Sequence, residues 1–479
     1  MIGALEAPGS DHPRVTPGQL SRCMGAACAA AAGFGVLFPV APGAAIEVLV
    51  LIPLAFATPV AALSVLVLIT ALVPFELQDD LAVVGGRDQP GLLFVDALLV
   101  LGLLRVLWLL MRRRLEFDLP LIVGSIALLI CCAALGWGVA QGGALSEAGH
   151  EARRVVMAVG AFILAWPLMA DRSTRRRMIR MLLVLGLALP LWGLAQWMFE
   201  IGYVSSGDAG VRMGNDLVVG SRGMLQGGMF GYPLAITFAW AALLSGRVRT
   251  SAGQALLGGI LILNAVCLVL TYERTMWLVT VLQCVVVVVI YGAAAIGPAV
   301  RWGAMGLGAL VCLSMAAPGE ALMAVKRLMT VSEVSTDRSY SYRVIESEAA
   351  IDEITARPVT GSGLGATITW ESHGVFAPMM TSFIHNGYLW LAWKFGVPVA
   401  ALVVLIMVSA IMRRTHHDGD WRWSTVSVAS RASLAGLVLI PITFPVFNVL
   451  GVTPLLGFFL AVCFARRPAE PPQSMRCDR

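Results

Sequence analysis

Apolar runs long enough to cross a bilayer alternate with polar loops along most of this chain. They fall at about 23–40, 43–58, 60–75, 91–110, 118–138, 155–170, 181–198, 228–245, 254–271, 276–294 and 302–317. One more begins near Val397, and two follow near 432–447 and 450–466. Most are apolar all round, whereas a helix at the surface of a soluble core carries a single apolar stripe. The pattern predicts an all-α polytopic membrane protein with about 12–14 transmembrane helices. Pro39, Pro42 and Pro59 punctuate the first three runs, and an even change in their number leaves the rest of the topology unmoved. No internal repeat is visible.

Composition agrees with that reading. The chain is 58% hydrophobic and 13% charged, about half the charged share of a soluble protein. Its net charge of +5 is no sign of nucleic-acid binding, because the basic residues sit in short loops. Arg112 to Arg114, Arg172 with Arg175 to Arg177, Arg247 with Arg249, Arg301, Arg413-Arg414 and Arg466-Arg467 all fall on one side of the span count. Cytoplasmic loops carry that excess, so both termini are expected inside. The loops near 79–90, 139–153 and 199–226, the turn Thr271-Tyr-Glu-Arg-Thr275 and the long polar stretch after residue 317 then face outward, with Arg153 and Arg154 running mildly against the rule. Nine cysteines avoid that stretch and mostly occupy apolar runs, which speaks against a disulfide framework or a zinc site. The first residues, with Pro8, Pro13 and Pro17, read as a loose tail without a signal-peptide cleavage pattern. The expected division is a cytoplasmic tail at 1–22, a transmembrane scaffold at 23–317 and a large external loop at 318–384. Interfacial and transmembrane helices at 385–466 and a cytoplasmic tail at 467–479 complete it.

The interval from Lys326 to Phe395 is the longest polar stretch, and its internal order is informative. Ser341 to Ala356 predicts a helix with an apolar stripe of Tyr342, Ile345, Ala349 and Ile354, and with Glu346, Glu348, Asp352 and Glu353 elsewhere. Pro358 should stop it near Arg357. Gly361, Gly363 and Gly365 follow as G-S-G-L-G, a turn whose amides can approach a ligand closely or which simply connects. His385-Asn386 stands where the chain turns apolar again, and Gly387 to Phe395 reads as an interfacial helix with Tyr388, Trp390 and Trp393 as anchors, broken at Gly396 and Pro398. Taken alone, His385 is as well explained as a polar anchor as by a chemical role. Glu273 and Arg274 occupy a turn between two spans, where charges are costly unless they face a polar cavity or pair with each other. Arg222 precedes another span, where a lipid headgroup contact is the plain alternative.

Together these features resemble the O-antigen ligase and O-antigen polymerase superfamily of bacterial envelope enzymes. The resemblance rests on Arg222 ahead of the span that begins at Gly227 to Pro233, and on Arg274 in its turn. It rests further on the loop from Arg343 through Pro358 to the three glycines, and on His385-Asn386 before an aromatic helix and a glycine. It covers about residues 215–412. One departure is Glu273, where the family usually has a serine before the turn arginine.

The resemblance implies a glycosyltransferase C-like membrane enzyme with one long periplasmic loop containing short helices. Such an enzyme takes a glycan from undecaprenyl diphosphate at the periplasmic face of the bacterial inner membrane and passes it to an acceptor hydroxyl, with no metal or cofactor. Its partners would be the lipid bilayer, the lipid-linked glycan donor, and a lipid A-core or growing glycan acceptor in O-antigen or exopolysaccharide synthesis. Carried onto these positions, His385 would be the base or acceptor-orienting group, and Arg343 and Arg274 would bind the diphosphate. Arg222 and Arg338 would assist, with Gly361, Gly363, Gly365 and Asn386 also on the substrate side. Arginine suits the task because its fork binds phosphate oxygens bidentately and stays charged. Ligase, polymerase and protein O-oligosaccharyltransferase remain open. A polysaccharide transporter or flippase would fit Glu47, Asp96 and Arg105, but the charges concentrate in one loop rather than at midplane. A metal-dependent enzyme using Asp79-Asp80 is the third alternative.

Overall fold

The computed structural model describes residues 59–72, 94–112, 115, 118–169, 171–199, 210–213, 216–219, 228–329, 338–370, 379–413 and 420–465. The first two predicted spans and Glu47, Asp79-Asp80 and Arg222 lie outside the described residues. The chain is an all-α polytopic membrane protein. Its early helices are α1 (Pro59–Leu72), α2 (Phe94–Met111), α3 (Leu119–Ala140), α4 (Leu145–Leu168) and α5 (Arg172–Phe199). After a short hairpin, β1 (Gly210–Met213) and β2 (Asp216–Val219), come α6 (Gly231–Leu244), α7 (Ser251–Leu270), α8 (Arg274–Tyr291) and α9 (Ile296–Ala316). The polar stretch supplies α10 (Pro318–Met329), α11 (Arg338–Ala356) and a second hairpin, β3 (Ile368–Trp370) with β4 (Met379–Thr381). The chain closes with α12 (Gly387–Phe395), α13 (Val397–Met412), α14 (Trp421–Leu439) and α15 (Thr453–Phe464). Both hairpins are antiparallel, with Gly210 opposite Val219 and Ile368 opposite Thr381.

Six helices among the described residues are long and apolar enough to cross a membrane: α3, α5, α7, α8, α9 with the 3-10 turn before it, and α14 with the one after it. Their lengths differ from the predicted runs for physical reasons. The 28 residues of α5 rise about 42 Å, so its arginine-rich first turns project beyond a hydrocarbon core of about 30 Å. Asp171 caps this helix, and hydrogen bonds from Ser173 and Thr174 hold its carboxyl down at about 2. Helix α14 begins well before the apolar run because its polar first half is packed inside the bundle, where Thr425, Ser430 and Ser433 are buried. The 12 residues of α15 rise only about 18 Å. A 3-10 turn at Val446–Asn448 completes that passage.

Helix α4 starts ten residues before its predicted apolar run, taking in most of the expected 139–153 loop. Its charges are matched rather than solvated. Arg153 pairs with Asp96 of α2 at 2.9 Å, and Arg154 donates to Asn448 at 2.5 Å. Helices α4 and α15 pack backbone to backbone, because a Cβ at Gly457 would lie 2.0 Å from the Ala158 carbonyl oxygen.

The basic loops gather at one end of the bundle. Arg175 lies over the Trp423 ring at 4.9 Å, joining the starts of α5 and α14, and Arg413 lies over Phe464 at 5.6 Å, joining the ends of α13 and α15. Helix α11, the turn at residues 361–365 and the start of α12 lie at the other end. There the predicted stripe of Tyr342, Ile345, Ala349 and Ile354 packs on the core, and α11 ends at Ala356 ahead of Pro358. Two expectations need correction. Trp390 and Trp393 are fully buried, so α12 is a core helix rather than an interfacial anchor. Glu346 is also buried, at 5% exposure, on the packed face of α11.

The glycine turn is a lock. Gly361, Gly363 and Gly365 all have positive φ (65°, 82° and 81°). The Ser362 amide donates to the Trp393 carbonyl (2.7 Å), Gly363 to Lys394 (3.0 Å) and Leu364 to Ala134 of α3 (3.0 Å). A Cβ on Gly363 would sit 2.3 Å from the Gly138 nitrogen. Gly142 is a natural control, with φ of 92° and open space around it. Substituting Gly142 by alanine should cost only the backbone strain, about 1–3 kcal/mol. Gly363→Ala should cost clearly more, because strain and a backbone clash add. Thermal unfolding of both variants in detergent checks this, and equal losses would contradict the lock.

Candidate functional site

The site forms where α11 meets the start of α12. The Asn386 side chain caps α12, accepting from the Tyr388 and Leu389 amides at 3.1 Å each. That bond fixes the chain direction at His385. The His385 amide donates to Glu346 Oε2 at 2.8 Å, and His385 Nδ1 lies 2.9 Å from the same oxygen. A carboxylate oxygen only accepts, so in a neutral imidazole Nδ1 carries the proton and Nε2 is the acceptor. The Phe383 ring meets the imidazole edge-on at 5.1 Å. The His385 side chain is 37% exposed and that of Glu346 only 7%.

Arg343 stands one helical turn before Glu346 on the same face of α11. It is half-buried, and its Nε is buried with no hydrogen-bond partner among the described residues. No described carboxylate pairs with it. A guanidinium with an unmatched Nε, one helical turn from the carboxylate that holds His385, is suited to an anionic ligand. Arg338 opens the same helix, one and a half turns earlier.

Arg274 opens α8, after Tyr272 at a φ of 55° and Glu273 at the N-cap. The connection between α14 and α15 brings it toward the same end. Thr443 donates to the Thr275 hydroxyl at 3.3 Å. A Cβ on Gly387 would meet the Phe444 carbonyl and Pro445 at 3.3 Å. The Phe230 ring, just after the Arg222 segment, lies 5.0 Å from the Phe444 ring. The starts of α6, α8 and α12 therefore share one floor, built from residues 440–448.

Under α12 lies a buried ion pair that sequence reasoning missed. Lys394 Nζ lies 2.8 Å from Glu151 Oε1 and donates to the Ala366 carbonyl at 2.6 Å. Glu151 Oε2 accepts from the Gly365 amide at 2.7 Å. The ammonium also lies 3.9 Å from the Trp393 ring centroid. Both side chains are nearly inaccessible, at 0% and 2%. They lie outside the six long spans; burial pushes the Glu151 carboxyl up and the Lys394 ammonium down, and their mutual attraction opposes both shifts. The amides of residues 361–365 are thus committed to the protein, which gives the three glycines a packing role in this structure.

The available signal for Lys394 was a lone charge within an aromatic helix, and for Glu346 its three-residue spacing from Arg343. Among the described residues, no three His, Cys, Asp or Glu side chains come together as a metal-binding group.

No curated protein matches the chain. A family model described as O-antigen ligase matches residues 259–404, an interval that contains Arg274, Arg338, Arg343, the glycine turn and His385-Asn386 but not Arg222. The chain therefore carries an O-antigen ligase domain at residues 259–404, which supports its membership of the O-antigen ligase and polymerase superfamily.

Proposed function

We propose that this protein transfers a glycan from undecaprenyl diphosphate to an acceptor hydroxyl at the periplasmic face of the bacterial inner membrane, without a metal. It would act as a ligase or polymerase of surface polysaccharide. The observation that carries the reading is the pairing, on one helix end, of His385, held through Nδ1, and Arg343, whose buried Nε has no partner among the described residues. In the transfer, the acceptor O–H gives its proton to His385 Nε2 while its oxygen forms a bond to the sugar C1. The C1–O bond to the diphosphate breaks, and its electron pair leaves on the diphosphate. Arg343 and Arg274 would hold that growing negative charge, with Arg338 and Arg222 assisting. Preorganised donors act most strongly on charge that develops in the transition state. The basic loops gathered at the opposite end support the periplasmic assignment.

An apolar cleft supports a lipid-linked donor. It has a volume of about 390 Å³ and runs between α3, α4, α13 and α15, with Val123, Phe162, Ile406 and Leu460 among its walls. Leu391 and Phe447 also line it. The Phe447 ring lies 6.2 Å from that of Tyr388, two residues beyond Asn386. The cleft thus borders both the spanning helix α3 and the foot of the site.

Purified protein, an undecaprenyl-diphosphate oligosaccharide and three separate acceptors test the reading: lipid A-core, a second repeat unit and a periplasmic protein. Arg343→Ala, Arg274→Ala and His385→Ala should insert and fold normally. Each arginine loss should lower kcat by about 10²–10³, and full activity in all three variants would refute the assignment. A second expectation concerns the cleft. Val123→Trp and Ile406→Trp should raise KM several-fold for the long-chain donor while sparing transfer from a short-chain prenyl diphosphate. Equal effects on both donors would separate the cleft from donor binding.

A further inference from the structure

We infer that Glu346 is the positioning residue for His385, setting its tautomer and stabilising the imidazolium that forms when it takes the acceptor proton. This rests on His385 being the base. Three observations converge on it. Glu346 is buried at 5% exposure, and a buried carboxylate is costly unless its hydrogen bonds are made. One of its oxygens accepts from both the backbone amide (2.8 Å) and ring Nδ1 (2.9 Å) of the same residue. The amide bond alone would suffice to anchor the chain between β4 and α12. The second bond fixes the ring's rotation and leaves Nε2 as the nitrogen not engaged by Glu346, on a side chain that is 37% exposed. Phe383 limits the ring from the side.

The arrangement also explains why Arg343 and Glu346 sit one turn apart without pairing. Glu346 is engaged by His385, which leaves the Arg343 guanidinium available for an anion. A single face of α11 thereby supplies the group that orients the base and the group that receives the leaving charge. The transfer starts from a neutral imidazole beside a carboxylate, the form in which Nε2 can take a proton. After the proton moves to Nε2, it is an ion pair, favoured in a partly desolvated site. No further reactant is needed, since the proton returns to water once the diphosphate has left.

The test is a double-mutant cycle under single-turnover conditions with labelled lipid-linked donor. Glu346→Gln keeps an acceptor for the His385 amide and removes the charge. It should lower kcat at least about tenfold, in the sense of the Asp to Asn change in a serine-protease triad, with donor KM and thermal unfolding unchanged. In a His385→Ala background the same substitution should cost nothing further, because Glu346 acts through the imidazole. Wild-type kcat for Glu346→Gln, or a second multiplicative loss in the His385→Ala background, would overturn the inference. Full activity of His385→Ala alone would instead overturn the base assignment on which it stands.

Discussion

The buried pair of Glu151 and Lys394 is the constraint on which the rest of this end of the molecule depends. Removing two charges from water costs several kcal/mol for each ion, and mutual attraction offsets this only with good geometry and further hydrogen bonds. The charges approach closely, at 2.8 Å, and the further hydrogen bonds are present. The ammonium has the Ala366 carbonyl and the Trp393 ring as well as its carboxylate, and Glu151 has the Gly365 amide. The pair therefore joins α4, the glycine turn and α12 at one point. With the backbone bonds from residues 361–364, it fastens the end of the long polar segment to the membrane bundle.

That fastening gives the site its precision. Helix α12 is fixed at its C-terminal end by the lock and at its start by the Asn386 cap and the floor at 440–448. His385 is the residue just before that rigid start. Helix α11 packs on the same core through its apolar stripe, so Glu346 meets His385 without adjustable loops between them. Rigid support of this kind is what a site needs when small misplacements cost rate.

Much of this was legible in the sequence. The apolar runs, the charge asymmetry of the loops, the helix that stops before Pro358 and the break at Gly396 follow from local rules of length, hydropathy and backbone preference. The proximity of Arg343 and His385 was suggested by the resemblance and not by any local rule. Partner choice was not legible. Glu346 reads as one more surface acid until His385 is seen beside it. Lys394, Trp390 and Trp393 read as interfacial because nothing near them in sequence announces Glu151 or the folded turn that covers them. The polar start of α14 also looked like loop, since its serines and threonines are hidden by helices distant in the chain. Burial is a tertiary property, and hydropathy reports it only where the environment is lipid.

The most direct measurement is a stability and activity cycle on the buried pair. Lys394→Met and Glu151→Leu are made singly and together and compared by unfolding in detergent and by glycan transfer. Each single change should destabilise by about 3–5 kcal/mol, because it strands a buried charge, and the double change should recover much of that loss. Transfer should fall in the singles along with the lock. Singles that unfold like the wild type, or a double variant whose losses simply add, would contradict the view that this pair holds the site together.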